Sequence, residues 1–312
     1  MMKKKMFKKS IVGFIIALLT AGTVTSYGYV NKTNDVVVGS TNAIVKTSST
    51  GGNSTLINNG DSIDYNGATY KIIQVDGGDL SGSRQSNVAV DIGYGDRVYW
   101  AFTNEYGQLV YVTADKITLQ DGSIEPVNSN GRYYPDEAKV PGTEREDLDE
   151  GHVIADSLGG VSNAYNITPQ NSTLNRHGDQ AYMERVIREA GGCENFVATI
   201  TYPDTTTQIP SHYHYEYVLK GNAVVDDFDN VNPDKVNAAI GSQTETAKST
   251  ADTTANNSTT NEKEELARID TNGNGKVTIA EAKAAGYSMP IYSDYWLYKY
   301  MDDRDHDGMV GE

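Results

Sequence analysis

Residues 149–188 contain several side chains whose types suit the hydrolysis of a phosphodiester bond. His152 is a candidate general base, because a neutral imidazole takes a proton from water near neutral pH. Asn175 and Glu184 offer the hard oxygen atoms that magnesium prefers, and Arg188 offers a guanidinium that can bind phosphate. Together these types predict a site that activates water, holds one cation and orients a phosphate.

The spacing of these residues predicts the elements that position them. Apolar residues at helical spacing predict a helix that ends at Gly191-Gly192. Glu184 and Arg188, four residues apart, then project from one face of that helix, with Asn175 just before it. The stretch around His152 is predicted to be a strand or a strand end. We therefore expect a strand and a neighbouring helix to carry the site.

The order of these residues resembles the DNA/RNA non-specific endonuclease family over roughly residues 87–230. The matching motifs are Asp149-Glu-Gly-His152, Asn166-Ile-Thr-Pro-Gln170, Leu174-Asn175, Glu184 and Arg188. The resemblance implies a ββα-metal, or His-Me finger, site that cleaves DNA and RNA and leaves 5′-phosphate ends. It also implies one magnesium ion, for which Mn²⁺ can substitute.

The resemblance assigns a role to each matching residue. His152 would activate water, Asn175 would bind magnesium directly, and Glu184 would hold a metal-bound water. Arg188 would steady the phosphate. Asn166 would help to order the site or the substrate.

Glu150 departs from the family pattern, because the better-known form has arginine at this position. A carboxylate here either raises the pKa of His152 or points away on the other face of the strand. Arg97 or Arg132 is a candidate to supply the missing positive charge to the substrate.

The C-terminal residues carry two acidic loops. Oxygen-bearing residues follow the EF-hand spacing in the first loop, with the turn-forming Gly275 at position 6. The predicted calcium ligands of this loop are Asp270, Asn272, Asn274, Lys276 and Glu281. The second loop resembles the extracellular Excalibur calcium module, with Gly311 in place of its cysteine. The predicted ligands there are Asp303, Asp305, Asp307 and Glu312. An Asn/Gly turn before a helix is the alternative interpretation of the first loop.

The N-terminus has the pattern of an export signal: a lysine-rich start, a short apolar run over 11–22, and then small and polar residues. Removal of residues 1–30 would delete five lysines and no acidic residue, and would take the net charge from −16 to −21. This charge is unfavourable for binding a polyanion. Cys193 has no partner for an intrachain disulfide, and we expect it to be a buried small residue. We predict a secreted protein with no membrane span after signal removal, and cell-wall or surface association is an option.

The predicted fold class is α+β, with an antiparallel sheet, a ββα-metal site and a small helical calcium-binding module. We place the signal at 1–30, a β-rich or loosely ordered region at 31–84 and the nuclease domain at 85–232. A flexible linker at 233–262 and the calcium module at 263–312 complete the chain. One alternative function is a calcium-dependent cell-surface binding protein with an inactive nuclease fold. Another is a toxin with a dedicated inhibitor.

Overall fold

The computed structural model describes residues 43–44, 57–78, 81–246 and 258–311. The predicted signal at 1–30 and the predicted calcium ligand Glu312 lie outside these residues. No helix in the described ranges combines the length and apolar character of a bilayer-crossing segment.

A large mixed sheet forms the centre of the fold. It has eight strands in the order β12-β11-β10-β7-β6-β5-β4-β3, all antiparallel except the β4–β5 pair. The strands are β3 (Ser62–Tyr65), β4 (Ala68–Ile72), β5 (Val88–Asp91), β6 (Tyr99–Thr103), β7 (Leu109–Ile117), β10 (Cys193–Thr201), β11 (His212–Leu219) and β12 (Asn222–Asp229). The pair β1 (Ala43–Ile44) and β2 (Ile57–Asn58) forms a separate small sheet. The α+β class is confirmed, although the sheet is not wholly antiparallel.

Alternation along β11 divides this strand between the core and the solvent. Tyr213, Tyr215 and Tyr217 are buried, whereas His212 and His214 are partly exposed beside the carboxylates of β12. The aromatic rings bury a large apolar area, and they explain how a chain with few phenylalanines fills its core. Cys193 is buried as predicted.

A two-stranded hairpin followed by helices lies against this sheet. Strand β8 (Leu148–His152) pairs antiparallel with β9 (Ile167–Asn171), and α1 (Ser172–His177) and α2 (Asp179–Ala190) follow. This order has the ββα pattern that the sequence predicted. Leu174, Met183 and Ile187 pack into the main core.

Two short helices stand where one was predicted after Asn175. The Asn171 side chain caps α1 by accepting hydrogen bonds from the main-chain N–H groups of Thr173 and Leu174. The extended backbone of Gly178 separates α1 from α2. Asn175 precedes α2, the helix that carries Glu184, as predicted, but it lies within the additional short helix α1, which was not predicted.

Two predicted domain boundaries differ from the structure. Strands β3 and β4 belong to the same sheet as the later strands, so the boundary at residue 85 divides a continuous sheet. The predicted flexible linker begins with helix α3 (Pro233–Thr246). Ile240 of this helix packs against the C-terminal core, and the main-chain oxygen of Asn237 accepts a hydrogen bond from Tyr295. Helix α3 is therefore part of the folded C-terminal region.

The C-terminal module is small and has its own core. It contains α4 (Ser258–Ile269), α5 (Ile279–Ala284), and the antiparallel pair β13 (Ile291–Tyr292) and β14 (Met309–Val310). A capping box between Thr278 and Glu281 begins α5, which fixes the residues after the first acidic loop. The core is formed by apolar side chains that include Ile269, Val277, Met289, Ile291, Leu297 and Val310.

Candidate active site

His152 lies at the end of β8, where the strand passes close to its partner β9. A Cβ atom on Gly151 would lie 2.5 Å from the Gln170 Oε1 atom, so a glycine is needed beside the histidine. The His152 side chain is 11% exposed. Its Nε2 atom lies 3.4 Å from the Ser162 hydroxyl and 3.5 Å from an Asp156 carboxylate oxygen. Two oxygen acceptors thus face the same ring nitrogen.

Burial dominates the protonation of this imidazole. It lowers the pKa of His152 from 6.5 to about 4, because the charged ring loses its hydration. The carboxylates of Glu137 and Glu150 raise this pKa, and Arg132 lowers it. The imidazole is therefore neutral at ordinary pH, as a general base requires.

Asn166 fixes the loop that follows His152. Its amide nitrogen donates to the main-chain oxygens of Ile154, at 2.7 Å, and Val161, at 2.6 Å. Its amide oxygen accepts from the main-chain N–H of Ile154 at 3.0 Å. The side chain is fully buried, so its amide is used for contacts with this loop.

Asp149 joins the strand that carries His152 to helix α1. Its carboxylate accepts hydrogen bonds from Ser172, from the Asn175 amide nitrogen at 3.3 Å and, in bidentate fashion, from the Arg176 guanidinium at 2.7 Å. The bond to Asn175 uses the amide nitrogen. The carbonyl oxygen of Asn175 is therefore the atom that can act as a cation ligand.

Gln180 connects Glu184 to His152. Its amide nitrogen lies 2.7 Å from the Glu184 carboxylate and 3.1 Å from the main-chain oxygen of His152. Its amide oxygen accepts a 2.9 Å hydrogen bond from the Tyr215 hydroxyl. Gln180 is fully buried, so these contacts hold α2 against the end of β8.

Glu184 has an unusual environment for a carboxylate. Burial raises its pKa from 4.5 to about 7, while the hydrogen bond from Gln180 and the charge of Arg188 oppose the rise. A carboxylate with a raised pKa is a feature of functional sites, although structural networks produce it as well. Gln180 contacts both Glu184 and His152, so these two residues belong to one hydrogen-bonded group.

Arg188 projects from α2 one turn beyond Glu184 and is exposed. Its guanidinium lies 3.4 Å from the hydroxyl of Ser157, in the short 3₁₀ turn Asp156–Leu158. That turn also carries Asp156, which contacts His152. Arg188 thus lies at the open side of the group.

Glu150 and the two candidate arginines, Arg97 and Arg132, have different ion-pair partners. Glu150 forms an ion pair with Lys139, which compensates part of its charge beside His152. Arg132 pairs with Glu137 at 2.8 Å, and its side chain stays 39% exposed. The Arg97 side chain is only 9% exposed. Its guanidinium binds Glu125 and the main-chain oxygens of Tyr94, Thr118 and Leu119, so it is engaged in contacts within the protein.

Sequence reasoning missed three residues of this group: Gln180, Asp156 and Ser162. Gln180 precedes Glu184 by four residues, a spacing that places both on one helix face. That spacing was the signal that could have found it. Asp156 and Ser162 lie in an irregular loop, and their approach to His152 depends on the path that Asn166 fixes. No local pattern predicts them.

The two acidic loops of the C-terminal module hold their polar atoms close together. In the first, Asp270 accepts main-chain hydrogen bonds from Asn274 and Gly275, and Glu281 accepts from Thr271, Asn272 and Thr278. The main-chain N–H of Lys276 donates to the Asn274 side chain.

In the second loop, carboxylate oxygens of Asp303, Asp305 and Asp307 lie within 4.8 Å of one another. Hydrogen bonds from Tyr298 and neighbouring groups lower the pKa of Asp303 to about 2. This loop therefore keeps a negative charge over the ordinary pH range.

Comparison with known proteins identifies the class of the central domain. Residues 102–221 match the model of the DNA/RNA non-specific endonuclease family. This range contains His152, Asn166, Asn175, Glu184 and Arg188. Residues 102–221 thus match a DNA/RNA non-specific endonuclease domain, and the match supports a nuclease enzyme.

Solved structures similar to this chain include two crystal structures of NucA from Streptococcus agalactiae. One has no metal bound and is 18% identical; the other has a magnesium ion bound and is 19% identical. Each alignment covers 48% of this chain and 77% of the NucA chain, with a TM-score of 0.34. No curated protein matches the chain.

Proposed function

We propose that the protein is a secreted, magnesium-dependent, sugar-nonspecific endonuclease that cleaves DNA and RNA and leaves 5′-phosphate ends. His152 is the general base, Asn175 would bind the cation directly, Glu184 would hold it through a bound water, and Arg188 binds the scissile phosphate. The observation that carries this proposal is the pair of contacts from Gln180 to Glu184 and to the main chain of His152. They hold the candidate base and the candidate metal-site carboxylate in one group.

The contacts of His152 define how it acts. We assign the proton of the neutral ring to Nε2, because this nitrogen faces the oxygens of Ser162 and Asp156, and the lone pair to Nδ1. Nδ1 accepts the proton of the attacking water, whose oxygen forms the new bond to phosphorus. The bond to the 3′ oxygen breaks, and that oxygen leaves with the electron pair and takes a proton. The phosphate remains on the 5′ side.

The donor set at α1 and α2 fits magnesium. An amide carbonyl oxygen from Asn175 and a carboxylate from Glu184 are both hard ligands, and magnesium keeps several waters alongside such groups. When bound, the ion stabilises the charge that develops on the phosphate oxygens. Asp149 holds the Asn175 amide nitrogen and so aims its oxygen. Gln180 does the same for Glu184.

Local positive charge offsets the acidic character of the chain. Arg188 is exposed beside Glu184, and Arg132 is partly exposed close enough to His152 to lower its pKa. These two guanidinium groups are the candidate phosphate contacts at the site. Arg97 is not part of this proposal, because its guanidinium is engaged with Glu125 and main-chain oxygens.

The C-terminal module is proposed to bind calcium at its two acidic loops. The first uses Asp270, Asn272, Asn274, the main-chain oxygen of Lys276, and Glu281. The second uses Asp303, Asp305 and Asp307, with Glu312 outside the described residues. Calcium is abundant outside cells, and loops of this kind bind it with affinities suited to that environment. The module would then support a secreted or surface-associated enzyme.

An assay with a matched histidine control tests the proposed function. The full chain and two variants, His152→Ala and His214→Ala, are incubated with plasmid DNA or RNA in magnesium or in EDTA. His214 lies on the partly exposed face of β11, where it pairs with Asp227. We expect magnesium-dependent degradation by the parent and by His214→Ala, and loss of at least 100-fold in His152→Ala. Equal degradation by His152→Ala would contradict the proposal.

A further inference from the structure

Lys283 of the C-terminal module extends into the nuclease domain. It lies on α5, and its ammonium is 3.0 Å from an Asp179 carboxylate oxygen and 2.6 Å from one of Asp226. Asp179 is the first residue of α2, and Asp226 lies on strand β12 of the main sheet. One cation of the module thus bridges a helix and a strand of the other domain.

This ion-pair group is largely removed from solvent. The side chains of Asp179, Asp226 and Lys283 are 3%, 7% and 20% exposed, respectively. Asp226 also accepts a 2.7 Å hydrogen bond from Tyr217. Two buried carboxylates this close to each other need a shared cation, because an unpaired buried charge is strongly destabilising.

Further contacts seat the module at the same place. The main-chain N–H of Met289 donates to Asp179 at 3.3 Å. The Lys283 ammonium also lies 5.8 Å from the centre of the Tyr182 ring, which is on α2. The first turn of α2 is therefore held from the outside by the C-terminal module.

The next residue of α2 is Gln180, which holds Glu184 and the main-chain oxygen of His152. A shift of the first turn of α2 would move Gln180 with it. Small displacements of groups that orient reacting residues reduce enzymatic rates strongly. Lys283 is thus connected to the site through its ion pair with Asp179, the peptide bond from Asp179 to Gln180, and the side-chain amide of Gln180.

We propose that Lys283 is a positioning residue for the nuclease site. By pairing with Asp179 and Asp226 it fixes the start of α2 and, through Gln180, the placement of Glu184 relative to His152. The C-terminal module is then a part of the working enzyme as well as a candidate calcium-binding unit. This inference rests on the proposed function of the site.

Substitutions in the full chain test this role. Lys283→Met keeps most of the side-chain length and removes the charge, whereas Lys283→Arg keeps the charge. Lys299→Met is the matched control, because Lys299 is a half-exposed lysine of the same module that pairs with Glu262. The measurements are kcat and KM on plasmid DNA in magnesium, and amide hydrogen exchange over residues 178–190 without magnesium.

We expect kcat of Lys283→Met to fall by about 10- to 100-fold with little change in KM, as for other groups that orient a metal ligand. Exchange over residues 178–190 should accelerate by about tenfold, while strands β6 and β7 keep their protection. Lys283→Arg should restore most of both properties, and Lys299→Met should match the parent. A folded Lys283→Met protein with parental kcat and parental exchange would overturn the proposal.

Two further outcomes are distinguishable. If the parent has no nuclease activity, the proposed function fails, and unchanged exchange over 178–190 in Lys283→Met would overturn the positioning role separately. If Lys283→Met does not fold, Asp179→Asn replaces it, because that variant removes the charge with which Lys283 pairs at the start of α2 and keeps the side-chain shape. A reduced kcat at unchanged KM would support the proposal, and parental kcat with parental exchange would overturn it.

Discussion

The side-chain amide nitrogen of Gln180 lies 2.7 Å from the Glu184 carboxylate, one turn further along α2. The same nitrogen lies 3.1 Å from the main-chain oxygen of His152. One buried amide therefore fixes both the acidic group of the helix and the end of the strand that carries the candidate base.

Gln180→Ala tests this connection directly. The variant frees Glu184 and removes the acceptor of the Tyr215 hydroxyl, which costs about 1–3 kcal/mol for a buried group left without a partner. We expect kcat on plasmid DNA to fall by about 10- to 100-fold, measured on protein shown to be folded by circular dichroism. Exposed Gln85 supplies the control substitution Gln85→Ala, which should keep parental kcat. Parental kcat in Gln180→Ala would contradict the role of the amide.

Arg188 and Arg185 form a matched pair on one helix. Arg188 lies beside Glu184 and Ser157, whereas the Arg185 guanidinium lies over the Tyr182 ring. Arg188→Ala should lower kcat/KM by about 100-fold, because a guanidinium that stabilises transition-state charge is lost. Arg185→Ala should change kcat/KM by less than about threefold on the same substrate. Equal losses in both variants would indicate that only the general charge of α2 matters.

The pKa of His152 can be tested by a measurement that does not depend on enzymatic activity. Its pKa is lowered to about 4, so its NMR ring signal in metal-free protein should titrate near pH 4 rather than near 6.5. The signal is assigned by its absence in His152→Asn. Because the unfolded chain binds this proton more readily, neutral His152 contributes stability that is present above pH 6.5 and lost as pH falls towards 4. A midpoint near 6.5 would show that the ring is open to solvent.

Calcium binding by the second acidic loop predicts a stability change. Calcium added to EDTA-treated full-length protein should raise the melting temperature. A free calcium concentration of about 100 times Kd would stabilise the folded state by about 2.7 kcal/mol. Asp303→Asn should remove the part of the rise that comes from the second loop, because Asp303 belongs to its carboxylate cluster. The neighbouring Asp302 has an 86% exposed side chain, so Asp302→Asn should retain it. An equal rise in melting temperature in both variants would show that calcium does not bind at Asp303.

Residues that act through local spacing were predictable from the sequence. Glu184 and Arg188 lie four residues apart on α2, the spacing from which one helix face was predicted. This feature depends on the helical period alone. The ββα order around His152 followed from the motif resemblance.

Features that depend on contacts distant in sequence were not predictable. The inclusion of β3 and β4 in the main sheet depends on the parallel pairing of β4 with β5. The polar composition of 233–246 indicated a linker, yet Asn237 and Ile240 give this helix packing partners in the C-terminal module. Tertiary contacts override weak local signals in both cases.

A crystal structure of the full chain with Mn²⁺, located by its anomalous scattering, tests the central claim most directly. The account predicts an ion about 2.1 Å from the Asn175 carbonyl oxygen, with a water between it and Glu184, and with the ring of His152 across the same cleft. Ions found only at the acidic loops of the C-terminal module, with Asn175 and His152 facing different surfaces, would contradict it.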